Sequence, residues 1–137
     1  MQVEATGRPL MIFRRTQEQL KSLEQSEDSL ADPTSQESKQ PDFAKNRFRS
    51  KTPELLVVQP ICTHIGCMVN YSPAGNAYMD SPEQKWRGGF YCPCCGAKFD
   101  MAGRVHKGMP ARTNLVVPLH SFLSETELEF DNPKDAL

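Results

Sequence analysis

Five cysteines and one histidine of this chain fall in two short boxes. "CTHIGC" (62–67) carries Cys62, His64 and Cys67, and "CPCCGAKFD" (92–100) carries Cys92, Cys94 and Cys95, with 24 residues between Cys67 and Cys92. Thiolates and neutral imidazoles are ligands for zinc and iron, and paired thiols also carry redox chemistry of their own. Gly66 and Gly96 permit backbone turns closed to other residues, so each box can fold tightly over an ion. Six candidate ligands exceed what one tetrahedral or binuclear site needs, so some of them must have another role.

Three chemistries fit these residues. Structural zinc takes four Cys or His ligands, commonly in pairs two to four residues apart. Cys62 with Cys67 and Cys92 with Cys95 suit it, with His64 able to replace one thiol. A redox dithiol of the C-x-x-C type would use Cys92 and Cys95, with Pro93 between them. A [2Fe–2S] cluster shared between the two loops would leave surplus cysteines to close a bridge. Spacing alone leaves all three open, with zinc ahead of the cluster and the cluster ahead of the dithiol.

The elements that must position these boxes are short. "ELLVVQ" (54–59) is the best strand in the sequence and delivers the chain directly to Cys62. "PLMIFRR" (9–15) also reads as a strand. In "TQEQLKSLEQ" (16–25) Thr16 can N-cap a short surface helix, with Gln19 reaching back and Leu20 and Leu23 on one apolar edge. Further strands are expected in "GGFYC" (88–92), "AKFD" (97–100), "GRVH" (103–106), "NLVVPLHSFL" (114–123) and "ELEF" (127–130). Residues 26–53 are polar and proline-punctuated, the composition of a long surface connection or of a tether that folds on a partner. Residues 70–89 read as a loop insertion between the boxes. Short strands separated by Gly and Pro predict an all-β, mostly antiparallel domain.

With 137 residues the chain is expected to form one domain, and its 8 Gly and 11 Pro favour turns over long helices. A net charge of −1 without a basic tract gives a nucleic-acid partner no support. The longest apolar stretches, 55–61 and 115–118, fall far short of the roughly 20 residues of a membrane span, so the chain as it stands is expected to be soluble. No signal peptide is visible at the start. Met1 runs straight into "QVEATGRPLMIFRRT", which reads like the middle of a domain and predicts an upstream segment.

"CTHIGC" with a later "CPC-x-G" resembles the two cluster-binding boxes of Rieske iron–sulfur proteins. "RPLMIFRRT", "PELLVVQPICTHIGC" and "CPCCGAKFDMAGRVHKGMPARTNLVVP" extend the likeness over about residues 8–130, towards the iron–sulfur subunits of proteobacterial cytochrome bc complexes. The resemblance implies a Rieske-type antiparallel β sandwich spanning 1–137. A cluster-binding subdomain at about 60–112 would be set into a larger β base, with the polar connection at about 26–53. It implies Cys62 and Cys92 on the inner iron, His64 on the outer iron, and a Cys67–Cys94 disulfide tying the loops together. Gly108, Met109, Pro110 and Ala111 would form the proline loop that covers the [2Fe–2S] cluster. The implied function is one-electron transfer from quinol to a c-type cytochrome, with cytochrome b and cytochrome c1 subunits as partners. The implied setting is the periplasmic side of a bacterial inner membrane, reached through a missing N-terminal anchor. An inter-loop disulfide suits that oxidising compartment.

Cys95 departs from the family, which has its second histidine ligand there. The implied ligand set is therefore Cys62, His64, Cys92 and Cys95. A thiolate in place of a neutral imidazole adds negative charge and lowers the potential. It also removes the exposed imidazole that takes the proton of quinol in the quinol-oxidising members, and so stands against quinol oxidation by this chain. Ala97 and Phe99 replace a serine and a tyrosine whose hydroxyls donate to cluster sulfurs in many members, which lowers the potential further. Two alternatives remain: a zinc-stabilised, non-redox binding module using Cys62, His64, Cys92 and Cys95, and a soluble Rieske-type ferredoxin serving an oxygenase. Such ferredoxins usually lack the Cys67 and Cys94 pair. His106 and His120 are expected at or near the surface, and Trp86 as a packing residue.

Overall fold

The computed structural model describes residues 2–5, 8–64, 66–80, 85–118, 120–122 and 128–130. Its strands are β1 (Gln2–Ala5), β2 (Arg8–Arg14), β3 (Leu55–Val58), β4 (Asn70–Ser72), β5 (Gly89–Tyr91), β6 (Lys98–Phe99), β7 (His120–Phe122) and β8 (Leu128–Phe130), with one α-helix, α1 (Gln17–Gln25). Every described pairing between strands is antiparallel, and the sheets have the orders β1-β2-β3, β4-β5-β6 and β7-β8. The antiparallel β class expected from the sequence is the one observed.

β2 and β3 lie where the apolar runs placed them, because Leu56, Val57 and Val58 bury completely against the rest of the core. α1 begins as its sequence predicts. The Thr16 hydroxyl accepts from the Gln19 N–H at 3.2 Å, and the Gln19 amide oxygen accepts from the Thr16 N–H at 2.8 Å. Leu23 is the residue that fastens this helix to the core, against Met101 and Ala102.

Four expectations need correction. "GRVH" forms no strand: Val105 makes a single bridge to Phe99 and His106 one to Leu30. In "NLVVPLHSFL" only 120–122 pair as a strand. Leu115 donates to Gly103 O, Val117 donates to Lys39 O, and Val116 O accepts from the Gln59 N–H, so this segment divides its hydrogen bonds among three neighbours instead of joining one ladder. Residues 70–89 are more than a loop. They supply β4 and a 3-10 turn, Ala77–Met79, and their Trp86 is buried with its indole N–H on Ser72 O at 3.1 Å.

The largest correction concerns residues 26–53. The stretch has only two short 3-10 turns, yet Leu30, Ser35, Ala44 and Arg49 within it are essentially inaccessible. Arg49 is the reason a polar segment can be buried. Its guanidinium donates to the carbonyls of Ala102, Gly103 and Leu115 and to the side chains of Ser35 and Gln40. A planar five-donor group can satisfy that many acceptors at once, which offsets the cost of its burial. Arg15 and Arg104 are buried beside it. Arg104 is held by Asp100 at 2.8 Å, and Arg15 donates to Met101 O and to the Ser50 hydroxyl. The segment is a polar layer of the domain, neither an exposed connection nor a tether.

The sheet that enters the boxes joins the base through aromatic packing. Phe13 of β2 meets Phe90 of β5 edge-on at 5.5 Å and Tyr71 of β4 at 4.6 Å. β5 passes so close to β6 that a Cβ on Gly89 would sit 2.0 Å from Phe99 O, on a backbone with φ of +147°. Gly89→Ala is therefore expected to destabilise the fold by about 3 kcal/mol or more, since only the main chain could move aside. A urea-unfolding midpoint within error of the parent protein's would refute this.

Candidate iron–sulfur centre

The two boxes fold into the same hydrogen-bonded loop. In the first, the Cys62 N–H donates to Cys67 O at 2.7 Å and the Gly66 N–H donates back to Cys62 O at 3.1 Å. In the second, the Cys92 N–H donates to Ala97 O at 2.8 Å and the Gly96 N–H donates back to Cys92 O at 2.8 Å. Gly66 and Gly96 sit at matching left-handed φ of +82° and +79°, and it is this backbone that turns each loop. Cys62 and Cys92 thus hold equivalent positions, one at the end of the chain leaving β3 and one immediately after β5, and both thiols are buried.

Cys67 and Cys94 are joined in a disulfide that ties loop to loop. A second tie runs from the Thr63 hydroxyl to Thr113 O at 2.7 Å, fastening the first loop to the chain just beyond residues 108–111. The sequence reading missed that contact; its only signal is a hydroxyl side chain next to a box cysteine. Of residues 108–111, Ala111 is buried and Met109 is partly buried against the same apolar cluster that contains Cys62 and Cys92, while Gly108 and Pro110 stay exposed.

The structure brings together three of the four ligand residues expected from the sequence. The sulfurs of Cys62, Cys92 and Cys95 all lie within 4.8 Å of one another, and Cys62 and Cys95 are 3.6 Å apart. His64 lies on the first loop with its side chain exposed, outside that group of three. The sulfurs of Cys67, Cys92 and Cys94 form a second close set, so all five cysteine sulfurs make one contiguous patch. Burial pushes the Cys92 thiol up, but the backbone N–H groups of Cys95 and Cys94 and the thiols of Cys95 and Cys62 outweigh it. The net effect holds Cys92 below the usual cysteine range and favours the thiolate that a metal requires. Ala97 and Phe99 are fully buried and present no hydroxyl to these sulfurs.

His106 is packed elsewhere. Its ring stacks on Trp86 at 6.0 Å with 27° between the planes, and its backbone N–H donates to Lys98 O at 3.0 Å. Burial lowers its pKa below 6.5; Asp100 opposes this, and the charges of Lys98 and Arg104 add to it. The folded chain therefore binds fewer protons at this site than the unfolded chain. The associated stability is fully present above about pH 6.5 and is lost as the pH falls from there towards the lower folded value. Urea midpoints are expected to drop between pH 7.5 and 5.5, and His106→Gln to flatten that slope. An equal slope in the variant would rule His106 out. The side chain of His120 lies outside the described residues.

The arrangement is one in which two loops present buried cysteine sulfurs to a common point, with the exposed His64 on the first loop. Residues 34–122 match the family model of the Rieske [2Fe-2S] domain. The chain is 44% identical, over 93% of its length, to the ubiquinol-cytochrome c reductase iron-sulfur subunit of Allochromatium vinosum, of which it covers 61%. It is 41% identical, over 92% of its length, to the mitochondrial cytochrome b-c1 complex subunit Rieske-1 of Arabidopsis thaliana, covering 39% of that protein. The figures are the same for the potato cytochrome b-c1 complex subunit Rieske, with 40% of that protein covered. The chain thus spans between about two fifths and three fifths of the length of these relatives.

Proposed function

Because the chain belongs to the Rieske [2Fe-2S] domain family, we propose that it is a one-electron carrier in a membrane quinol:cytochrome c oxidoreductase, taking electrons from the quinol side and delivering them to a c-type cytochrome. The observation that carries this reading is the pair of equivalent Cys62 and Cys92 loops locked by the Cys67–Cys94 disulfide. Two loops held at a fixed separation suit a group that both must ligate.

Rieske domains bind a [2Fe–2S] cluster, and the donor set of this chain suits one. Cys62 and Cys92 would hold the buried side, and His64 with Cys95 the exposed side. When bound, such a cluster supplies a one-electron redox couple. The protein's own part is to exclude water from the Cys62 and Cys92 sulfurs by packing them in the apolar core, and to keep the loops from splaying. Met109 and Ala111 border that core from the proline loop. With Cys95 a thiolate, the site carries one more negative charge than a two-cysteine, two-histidine site. Its potential then lies between plant-type ferredoxins, at about −400 mV, and the Rieske range of about −150 to +300 mV. Position 95 also lacks an imidazole to receive the proton of a quinol.

The partners consistent with this reading are cytochrome b and cytochrome c1 subunits, with an anchor upstream of the sequence. The periplasmic side suits it, because a lasting inter-loop disulfide belongs to an oxidising compartment. No described helix is long and apolar enough to cross a membrane. Iron and acid-labile sulfide analysis of protein assembled with both, followed by redox titration, tests the proposal. Two irons and two sulfides per chain with a potential below the high-potential members is the expected result. Colourless protein with a single zinc would overturn the carrier reading, and a midpoint equal to that of high-potential Rieske subunits would overturn the thiolate assigned at Cys95.

A further inference from the structure

The spacing of the three thiols carries a second assignment. Two thiolates on one tetrahedral ion, with metal–sulfur bonds of about 2.3 Å, lie about 3.8 Å apart. Cys62 and Cys95 are 3.6 Å apart, and Cys92 lies within 4.8 Å of both. Ligands of a binuclear cluster, by contrast, must be divided between two metal atoms, and the resemblance puts Cys62 and Cys95 on different ones. In this fold the Cys95 sulfur lies at single-ion spacing from Cys62. The hydrogen bond from the Gly96 N–H to Cys92 O turns the second loop back on itself, and the rest of the fold sets that loop against the first. The disulfide between Cys67 and Cys94 holds the loops at that separation.

We propose that Cys62, Cys92 and Cys95 form a three-thiolate site for a single thiophilic divalent ion, which fills when metal is present without sulfide and competes with assembly of the two-iron cluster. The inference uses the same residues as the cluster reading and adds a second occupancy to them. Binding exchanges the thiol protons for the metal: each S–H bond still present breaks and its proton passes to solvent, three metal–sulfur bonds form, and no electron moves. The fourth position falls to solvent or to the exposed His64 on the same loop.

Cobalt(II) titrated alone into the metal-free, disulfide-intact chain under anaerobic conditions reads the site directly. One ion per chain is expected, with the ligand-field bands of tetrahedral cobalt and a sulfur-to-cobalt charge-transfer band. Cys95→Ser and Cys95→Ala are each expected to weaken binding at least about 100-fold and to reduce the charge-transfer band, since both remove a direct ligand. Zinc-loaded protein should take up iron and sulfide more slowly than metal-free protein. A cobalt spectrum unchanged in both Cys95 variants would overturn the three-thiol site; equal rates of cluster uptake would overturn the competition. Iron and sulfide supplied to metal-free protein test the cluster reading separately, so either can fail without the other.

Discussion

Replacing Cys95 by histidine is expected to raise the midpoint potential of the assembled protein by on the order of 200 mV. The figure follows from the gap between all-cysteine and two-histidine [2Fe–2S] sites, of which this substitution spans about half. The physical cause is charge: a thiolate contributes a full negative charge and an imidazole none, so the oxidised state loses its advantage. A second signature accompanies it. With two imidazoles on the exposed side, the potential acquires a stronger pH dependence, because an imidazole can release its outer proton whereas a thiolate has none left to lose. The substitution is sterically favourable, since Cys95 is only partly buried and the loop around it turns through Gly96, whose surroundings are open. If spectrum and potential both stay unchanged while the variant folds, Cys95 is not a ligand and the assigned set is wrong.

Removing the Cys67–Cys94 disulfide is expected to cost about 3.5 kcal/mol, from the loop of nearly thirty residues that it closes. The double variant Cys67→Ser with Cys94→Ser is the one to make. A single substitution would leave a thiol beside Cys92, because the sulfurs of Cys67, Cys92 and Cys94 all lie within 4.8 Å of one another, and that thiol could pair anew. Urea unfolding under non-reducing conditions should show the loss. The double variant should also release bound metal faster, since the hydrogen bonds within each loop do not hold one loop to the other. A strong reductant should bring the parent protein to the same midpoint and leave the variant where it was. A double variant with the parent's midpoint and the parent's rate of metal loss would show that the Thr63–Thr113 contact and the apolar packing around Cys62 and Cys92 suffice to hold the loops.

Much of this was legible in the residues because it depends on local chemistry. The Thr16–Gln19 cap needs only two side chains three positions apart, and β2 and β3 need only short apolar runs bounded by charges and prolines. The two boxes declare themselves by residue type, since few other uses explain five cysteines in so few residues. The disulfide pairing came from resemblance alone, as spacing permits several pairings of five thiols.

What the residues could not disclose lies in long-range contacts. Residues 26–53 read as an exposed connection because composition counts their polar side chains without their partners. Only the fold places the carbonyls of Ala102, Gly103 and Leu115 around Arg49, and so converts a charged residue into a core residue. The segment 114–118 was expected to join a ladder; its β-branched run is real, but its hydrogen bonds are shared among Gly103, Gln59 and Lys39, which come together only in three dimensions. The centre divides the same way. Residue type marked Cys62, His64, Cys67, Cys92, Cys94 and Cys95 as candidate ligands, because ligand chemistry is a property of residue type, and resemblance narrowed them to Cys62, His64, Cys92 and Cys95. Tertiary structure alone decided that Cys95 lies 3.6 Å from Cys62, because a distance between two loops depends on every turn and tie that fixes them.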